Sequence, residues 1–66
     1  MSVAKIIEIS AESADSFEDA IREGIRRASE TVKNIKSAWV EDQLVEVKGD
    51  KVVSFRVHLK VTFVLE

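Results

Sequence analysis

The stretch whose reading decides the fold is Ser37-Ala38-Trp39-Val40-Glu41-Asp42-Gln43-Leu44-Val45-Glu46-Val47-Lys48-Gly49-Asp50-Lys51-Val52-Val53-Ser54-Phe55-Arg56-Val57-His58-Leu59-Lys60-Val61-Thr62-Phe63-Val64-Leu65. In its second half Val53, Phe55, Val57, Leu59, Val61, Phe63 and Leu65 share one parity, and Ser54, Arg56, His58, Lys60 and Thr62 share the other. Alternation of that length predicts a strand buried on one side. Gly49-Asp50 predicts a two-residue hairpin turn, because both residue types tolerate positive φ. The stretch is therefore read as one long β-hairpin carrying the chain's only Trp, Trp39, on its first arm.

Upstream, Val3 to Ile9 is short and β-branched and predicts a first strand. Val3, Lys5, Ile7 and Ile9 share one of its faces, and Ala4, Ile6 and Glu8 the other. Ser10 to Ser16 reads as a connection, with Ser13 and Ser16 as alternative N-caps of a helix starting near Ala14. Phe17, Ile21, Ile25, Ala28 and Val32 fall at helical spacing and predict an amphipathic helix ending near Val32. Glu18 with Arg22, and Glu23 with Arg27, are four apart and expected to pair. Gly24 lies on the apolar side, where it predicts close approach of a strand. Asn34 is the expected left-handed C-cap, with Ile35 beyond it. The element order is strand, helix, strand, strand. The predicted class is α+β: a three-stranded antiparallel sheet in order 1-3-2, with one helix on one face.

The chain has 66 residues, no Cys and no Pro, and a net charge of −2. That length is read as one domain over residues 1–66. A domain of this size buries only about 60% of its unfolded surface, so self-association is expected to supply the rest. Disulfides and thiolate metal sites are excluded. The acidic balance argues against nucleic acid as a partner. No apolar run approaches a membrane span, the N-terminus is unlike a signal peptide, and the cytoplasm is the expected compartment.

One helix covers one sheet face, so the other must meet water or another subunit. A two-residue turn pairs Lys48 with Lys51. Counting outward places Glu46 opposite Val53, Gln43 opposite Arg56, Glu41 opposite His58, Trp39 opposite Lys60 and Ser37 opposite Thr62. The last four pairs share the open face. Trp39 with Lys60 is a cation–π candidate, and Glu41 with His58 a pH-sensitive pair. Ala38, Val40, Leu44, Val57, Leu59, Val61 and Phe63 are expected to face the helix. Asp42 falls on that apolar side, and a bulge near Asp42-Gln43 would remove the conflict. Trp39 is read as a subunit contact, with ligand stacking as the alternative.

Lys5-Ile6-Ile7-Glu8-Ile9, Ser13-Ala14-Asp15-Ser16-Phe17-Glu18-Asp19-Ala20, Arg27-Ala28-Ser29-Glu30-Thr31-Val32-Lys33-Asn34-Ile35 and the run Phe55 to Leu65 together resemble the dodecins, over nearly the whole chain. The resemblance implies a β-α-β-β protomer assembled into a hollow homododecamer that binds flavin (riboflavin or FMN) without catalysis, for storage or protection. In flavin-binding members the rings stack in pairs between Trp side chains, and a Gln on the last strand hydrogen-bonds them. Here the Trp position falls on Ser37, with Trp39 two residues on, about 6.5–7 Å along the strand. The Gln position falls on Arg56. The equivalents of the flavin site are thus Ser37, Trp39, Gln43, Arg56 and His58. A subgroup without the Trp, described as calcium-binding, is the nearer resemblance. It would use carboxylates from several chains, with Glu12, Asp15, Glu18 and Asp19 as hard oxygen ligands. The expected function is a non-catalytic, oligomeric small-molecule binding or storage protein. The alternative is a dodecameric assembly without flavin, structural or calcium-binding. An enzyme is not expected: His58 is the only His, and neither a Cys nucleophile nor a Gly-rich phosphate loop is present.

Overall fold

Chain order sets the architecture: β1 (Val3–Ser13), α1 (Phe17–Ala28), β2 (Ile35–Lys48) and β3 (Lys51–Leu65). The computed structural model describes residues 2–65. The three strands form one antiparallel sheet in the order β1-β3-β2, as the strand pattern predicts. β3 is central and pairs with both neighbours, so its alternation is read out on both faces. Val57, Leu59 and Val61 are fully buried beneath the helix. Arg56, His58 and Lys60 take the opposite face.

β1 runs to Ser13, four residues beyond the predicted end. The reason is that Ile7, Ile9 and Ala11 continue inward and pack against the core while Glu8, Ser10 and Glu12 continue outward. Small polar residues in this stretch serve the pleat instead of breaking it. The helix consequently starts later, at Phe17. Ser16 is its N-cap and accepts a hydrogen bond from the Asp19 amide at 2.9 Å. Ser13 works one layer back: its hydroxyl donates to the Asp19 carboxylate at 2.7 Å and accepts from the Asp15 amide at 2.9 Å. The two serines are therefore partners in one cap.

The helix ends at Ala28, with Ser29 as C-cap, not near Val32. A short turn follows, in which Glu30 and Thr31 donate to the carbonyls of Arg27 and Ala28. Asn34 has a positive φ of 65°, as its type suggests, but beyond the helix rather than at its cap. Its carbonyl accepts from the Val64 amide at 3.0 Å, which launches β2 along β3. On the helix surface Glu18 pairs with Arg22 at 3.0 Å as expected. Glu23 pairs with Arg26, and Arg27 turns instead to Glu30 at 3.6 Å.

Packing is concentrated at one end of the sheet. α1 rests on β1 and β3. Phe17 meets Phe55 edge to face, with ring centroids 5.1 Å apart. The hairpin projects past the helix, and the protomer extends 51 × 19 × 13 Å. Val45, Val47, Val52 and Val53 on that projection are exposed. Among the described residues no helix is long and apolar enough to cross a membrane.

The hairpin register explains what simple counting could not. Gly49 has φ 63° while Asp50 does not share a positive φ, the pattern of a type II′ turn. Lys48 faces Lys51 as predicted, but Glu46 faces Ser54 rather than Val53. Val53 is an extra residue on β3. A second irregularity lies between Val40 and Asp42, making Glu41 the extra residue on β2. The two cancel, so Trp39 still faces Lys60 and Ser37 still faces Thr62. Between them every pairing is shifted: Gln43 faces Val57, Leu44 faces Arg56 and Asp42 faces His58. Asp42 is thereby moved off the apolar side, and Leu44 is moved to the open face, contrary to the unbulged count.

Gly24 is where helix and sheet come closest. A Cβ added there would sit 2.9 Å from the Ala11 Cβ. Gly24→Ala is expected to cost about 1 kcal/mol net, since overpacking outweighs the better helix propensity of Ala. Urea unfolding will measure it. The cost should shrink when Ala11→Gly is introduced with it; equal cost in both backgrounds would refute the contact.

Candidate functional site

The open face of the sheet is charged by register. β1 presents Glu8, Ser10 and Glu12, which pair with Lys60, His58 and Arg56 of β3. β2 adds Ser37, Trp39, Glu41, Asp42 and Glu46 from the other side. Carboxylates thus flank a central row of basic residues, and Arg56 and His58 are each contacted from both neighbouring strands.

Three groups of contacts result. Arg56 donates through Nε to Glu12 at 2.7 Å, through Nη2 to the same carboxylate, and to Glu46 at 2.8 Å. The Glu12 hydrogen bond, and then its charge, hold the guanidinium even more firmly protonated than usual. Lys60 directs Nζ to Glu41 at 2.7 Å, which raises its pKa. Its ammonium therefore serves a carboxylate and not the Trp39 ring. His58 Nε2 lies 3.0 Å from Glu8 Oε1 and 3.5 Å from Glu41 Oε1.

The expected Glu41–His58 contact is thus present, but it arises from the bulge. Asp42 takes the place opposite His58, and Glu41 reaches both His58 and Lys60. The stronger partner, Glu8, was not foreseen, because β1 and β3 share no turn that fixes their register. A signal was available: Glu8 and Glu12 are spaced as Lys60 and Arg56 are, in antiparallel order.

Trp39 is 59% exposed. A shallow hollow beside it is lined by Ile6, Val40, Glu41 and Lys60. Ser37 lies on the same face, two residues along β2. Arg56 and His58 are on that face too, but both are already engaged by carboxylates. Gln43 faces Val57, placing it on the helix side of the sheet and away from the other four.

The carboxylates near the helix start do not meet within one protomer. Glu12 belongs to Arg56, Glu18 to Arg22, and Asp19 to Ser13. The Asp15 amide is spent on Ser13. Among the described residues, Glu8, Glu41 and His58 are the group whose metal-ligating atoms all lie within 4.8 Å of one another.

Glu8 controls the His58 proton. Its hydrogen bond, then its charge with those of Glu41 and Asp42, raises the imidazole above its ordinary 6.5. The same bond lowers Glu8 below its ordinary 4.5. The contribution from His58 is complete below 6.5 and lost as pH rises through its folded value; that from Glu8 is lost as pH falls through its own. As the chain's only histidine, His58 can be followed by NMR with labelled histidine. It should titrate above 6.5, and Glu8→Gln should lower that value. An unchanged titration in the variant would exclude Glu8 as the cause.

Comparison with known proteins agrees with this architecture. The dodecin family model matches residues 3–66. The chain is 36% identical over 63 residues to a protein described as calcium dodecin from Mycobacterium tuberculosis, covering 96% of this chain and 89% of that one. The dodecin of Streptomyces davaonensis superposes with a TM-score of 0.93 at 28% identity, covering 98% of this chain and 96% of the other. The dodecin of Streptomyces coelicolor gives 0.93 at 26% identity, covering 98% and 93%. With the strand order, the helix and the family match in agreement, this chain belongs to the dodecin family.

Proposed function

We propose that the chain, as one domain over residues 1–66, assembles into a hollow homododecamer that binds and stores a small molecule without catalysis. The observation that carries this reading is the apolar surface one protomer leaves open. Trp39, Val40, Leu44, Val45 and Val47 are all exposed, on β2, the strand the helix does not cover. So much exposed apolar area on a small chain is the mark of an interaction surface. Membership of the dodecin family supports closing that surface with further copies of the same chain.

The ligand face is the open side of β2 and β3. Trp39 offers a ring for stacking, and the hollow beside it has apolar walls from Ile6 and Val40 and a cation from Lys60. Such a surface suits a flat, anionic aromatic, the class to which FMN belongs. The ring would sit at Trp39, displaced along the strand from Ser37, whose hydroxyl has no stacking surface. Arg56 and His58 would line the site as charged neighbours. Gln43 would take no part from its place on the other face.

A second reading is a flavin-free assembly that binds calcium. It is favoured by the kinship with the protein described as calcium dodecin. Glu12, Asp15, Glu18 and Asp19 supply hard oxygen ligands, but calcium takes about 6–8 oxygens, so several chains would have to contribute.

Light scattering should give about 89 kDa, twelve times the 7.4 kDa of one chain. A monomer or dimer at micromolar concentration would overturn the assembly. Trp39→Ala should lower the assembled mass while leaving protomer circular dichroism unchanged; an intact assembly would remove Trp39 from the interface. Riboflavin and FMN fluorescence should be quenched saturably. Without quenching at micromolar flavin the flavin reading fails, and a lowered melting temperature in EGTA would then support calcium.

A further inference from the structure

We propose that Glu8, Glu41 and His58 form a binding site for a divalent transition-metal ion of the zinc class. The site is separate from the carboxylates at the helix start and does not depend on flavin binding. Each ligand comes from a different strand: Glu8 from β1, Glu41 from β2 and His58 from β3. Convergence from three strands of a hydrogen-bonded sheet is a rigid placement, whereas acidic residues along one loop or helix turn are not.

The spacing fits the ion. Zinc holds imidazole nitrogen and carboxylate oxygen at about 2.0–2.2 Å in a tetrahedron, whose ligand atoms then lie about 3.3 Å apart. His58 Nε2 is already 3.0 Å from one Glu8 oxygen and 3.5 Å from one Glu41 oxygen. All three atoms lie within 4.8 Å of one another, so small rotations of surface carboxylates complete the set. One nitrogen and two oxygens leave a fourth position for water or a ligand group. An imidazole nitrogen is a poor ligand for calcium and a good one for zinc, cobalt or copper. The combination therefore selects by donor type.

The bulge at Glu41 provides a second, independent support. The extra Val53 already brings Asp42 opposite His58, so without a bulge here residue 41 would be an ordinary rung opposite Leu59, on the helix side. As the extra residue of β2, Glu41 instead reaches the open face, between His58 and Lys60. Bulges commonly re-aim a side chain beside a functional site. Two further charges border the cluster. Lys60 holds Oε2 of Glu41 and leaves Oε1, the oxygen beside His58, for the ion. Asp42, opposite His58, adds negative charge that favours a divalent cation. A metal and a proton compete for His58 Nε2, so binding must weaken as His58 becomes protonated.

The test is titration of the chelator-stripped, assembled protein with zinc chloride by calorimetry, with cobalt chloride as the optical probe. One ion per chain is expected, together with the intense visible absorption of low-coordinate cobalt. Calcium chloride should bind the same site at least about tenfold more weakly. His58→Ala and Glu8→Gln should each lower zinc affinity at least about tenfold, while Glu23→Gln on the helix should not. If His58→Ala loses the assembly, the wild type decides: zinc must shift the NMR signals of its single imidazole, and affinity must fall from pH 8 to pH 6. Absence of binding at 100 µM zinc, an unmoved imidazole, or calcium binding as tightly as zinc would overturn the proposal.

Discussion

A single helix of twelve residues has to shelter a sheet of three long strands, and it cannot reach all of them. It lies over β1 and β3, so burial is complete only where β3 passes beneath it. Val57, Leu59 and Val61 are sealed there. Replacing Leu59 with a smaller residue at such a point removes transfer energy and leaves a cavity, a loss on the order of 2–5 kcal/mol. The central place of β3 follows from the same constraint. A strand flanked on both sides can bury one parity of its residues and fix the other between neighbours. The helix contact at Gly24 and the capping pair of Ser13 and Ser16 hold this geometry, because they set the distance and angle at which the helix meets the sheet.

The fold was legible because its main signals are local or periodic. The alternation from Val53 to Leu65, the Gly49-Asp50 turn and the helical stripe from Phe17 onward each report on their own segment. Strand order then follows from handedness. Boundaries were less legible where residue types are ambiguous. Ser10, Ala11, Glu12 and Ser13 look like a connection by composition, yet their alternate positions meet core and solvent in turn. At the other end of the helix, Val32 continues the stripe, but the turn after Ala28 tightens before it can use it.

The site was legible only in part. Trp39 and Lys60 were placed correctly by counting from the turn, and the misfit of Asp42 pointed to a bulge beside it. What could not be counted was the partnership between β1 and β3, since no short loop ties their register. Hence Glu8 and Glu12, the main partners of His58 and Arg56, came from the structure. The match to the dodecin family spans residues 3–66 and so covers the whole scaffold. Scaffold positions answer to packing within the protomer, and the open-face cation Arg56 answers to its carboxylate neighbours Glu12 and Glu46.

The two extra residues, Val53 and Glu41, have a consequence for how such a face can change. They lie on opposite strands and cancel, so the segment between them is inverted while the turn and the stretch from Ser37 to Val40 stay in phase; a third shift follows only beyond Ser37. Loss of one alone would turn over everything beyond it and expose the core side of the strand. Loss of both would invert only the enclosed segment, exchanging Gln43 for Leu44 on the open side. The hairpin is thus built as a reversible cassette. Paired deletion of Val53 and Glu41 would swap the chemistry displayed there without substitution of any remaining side chain.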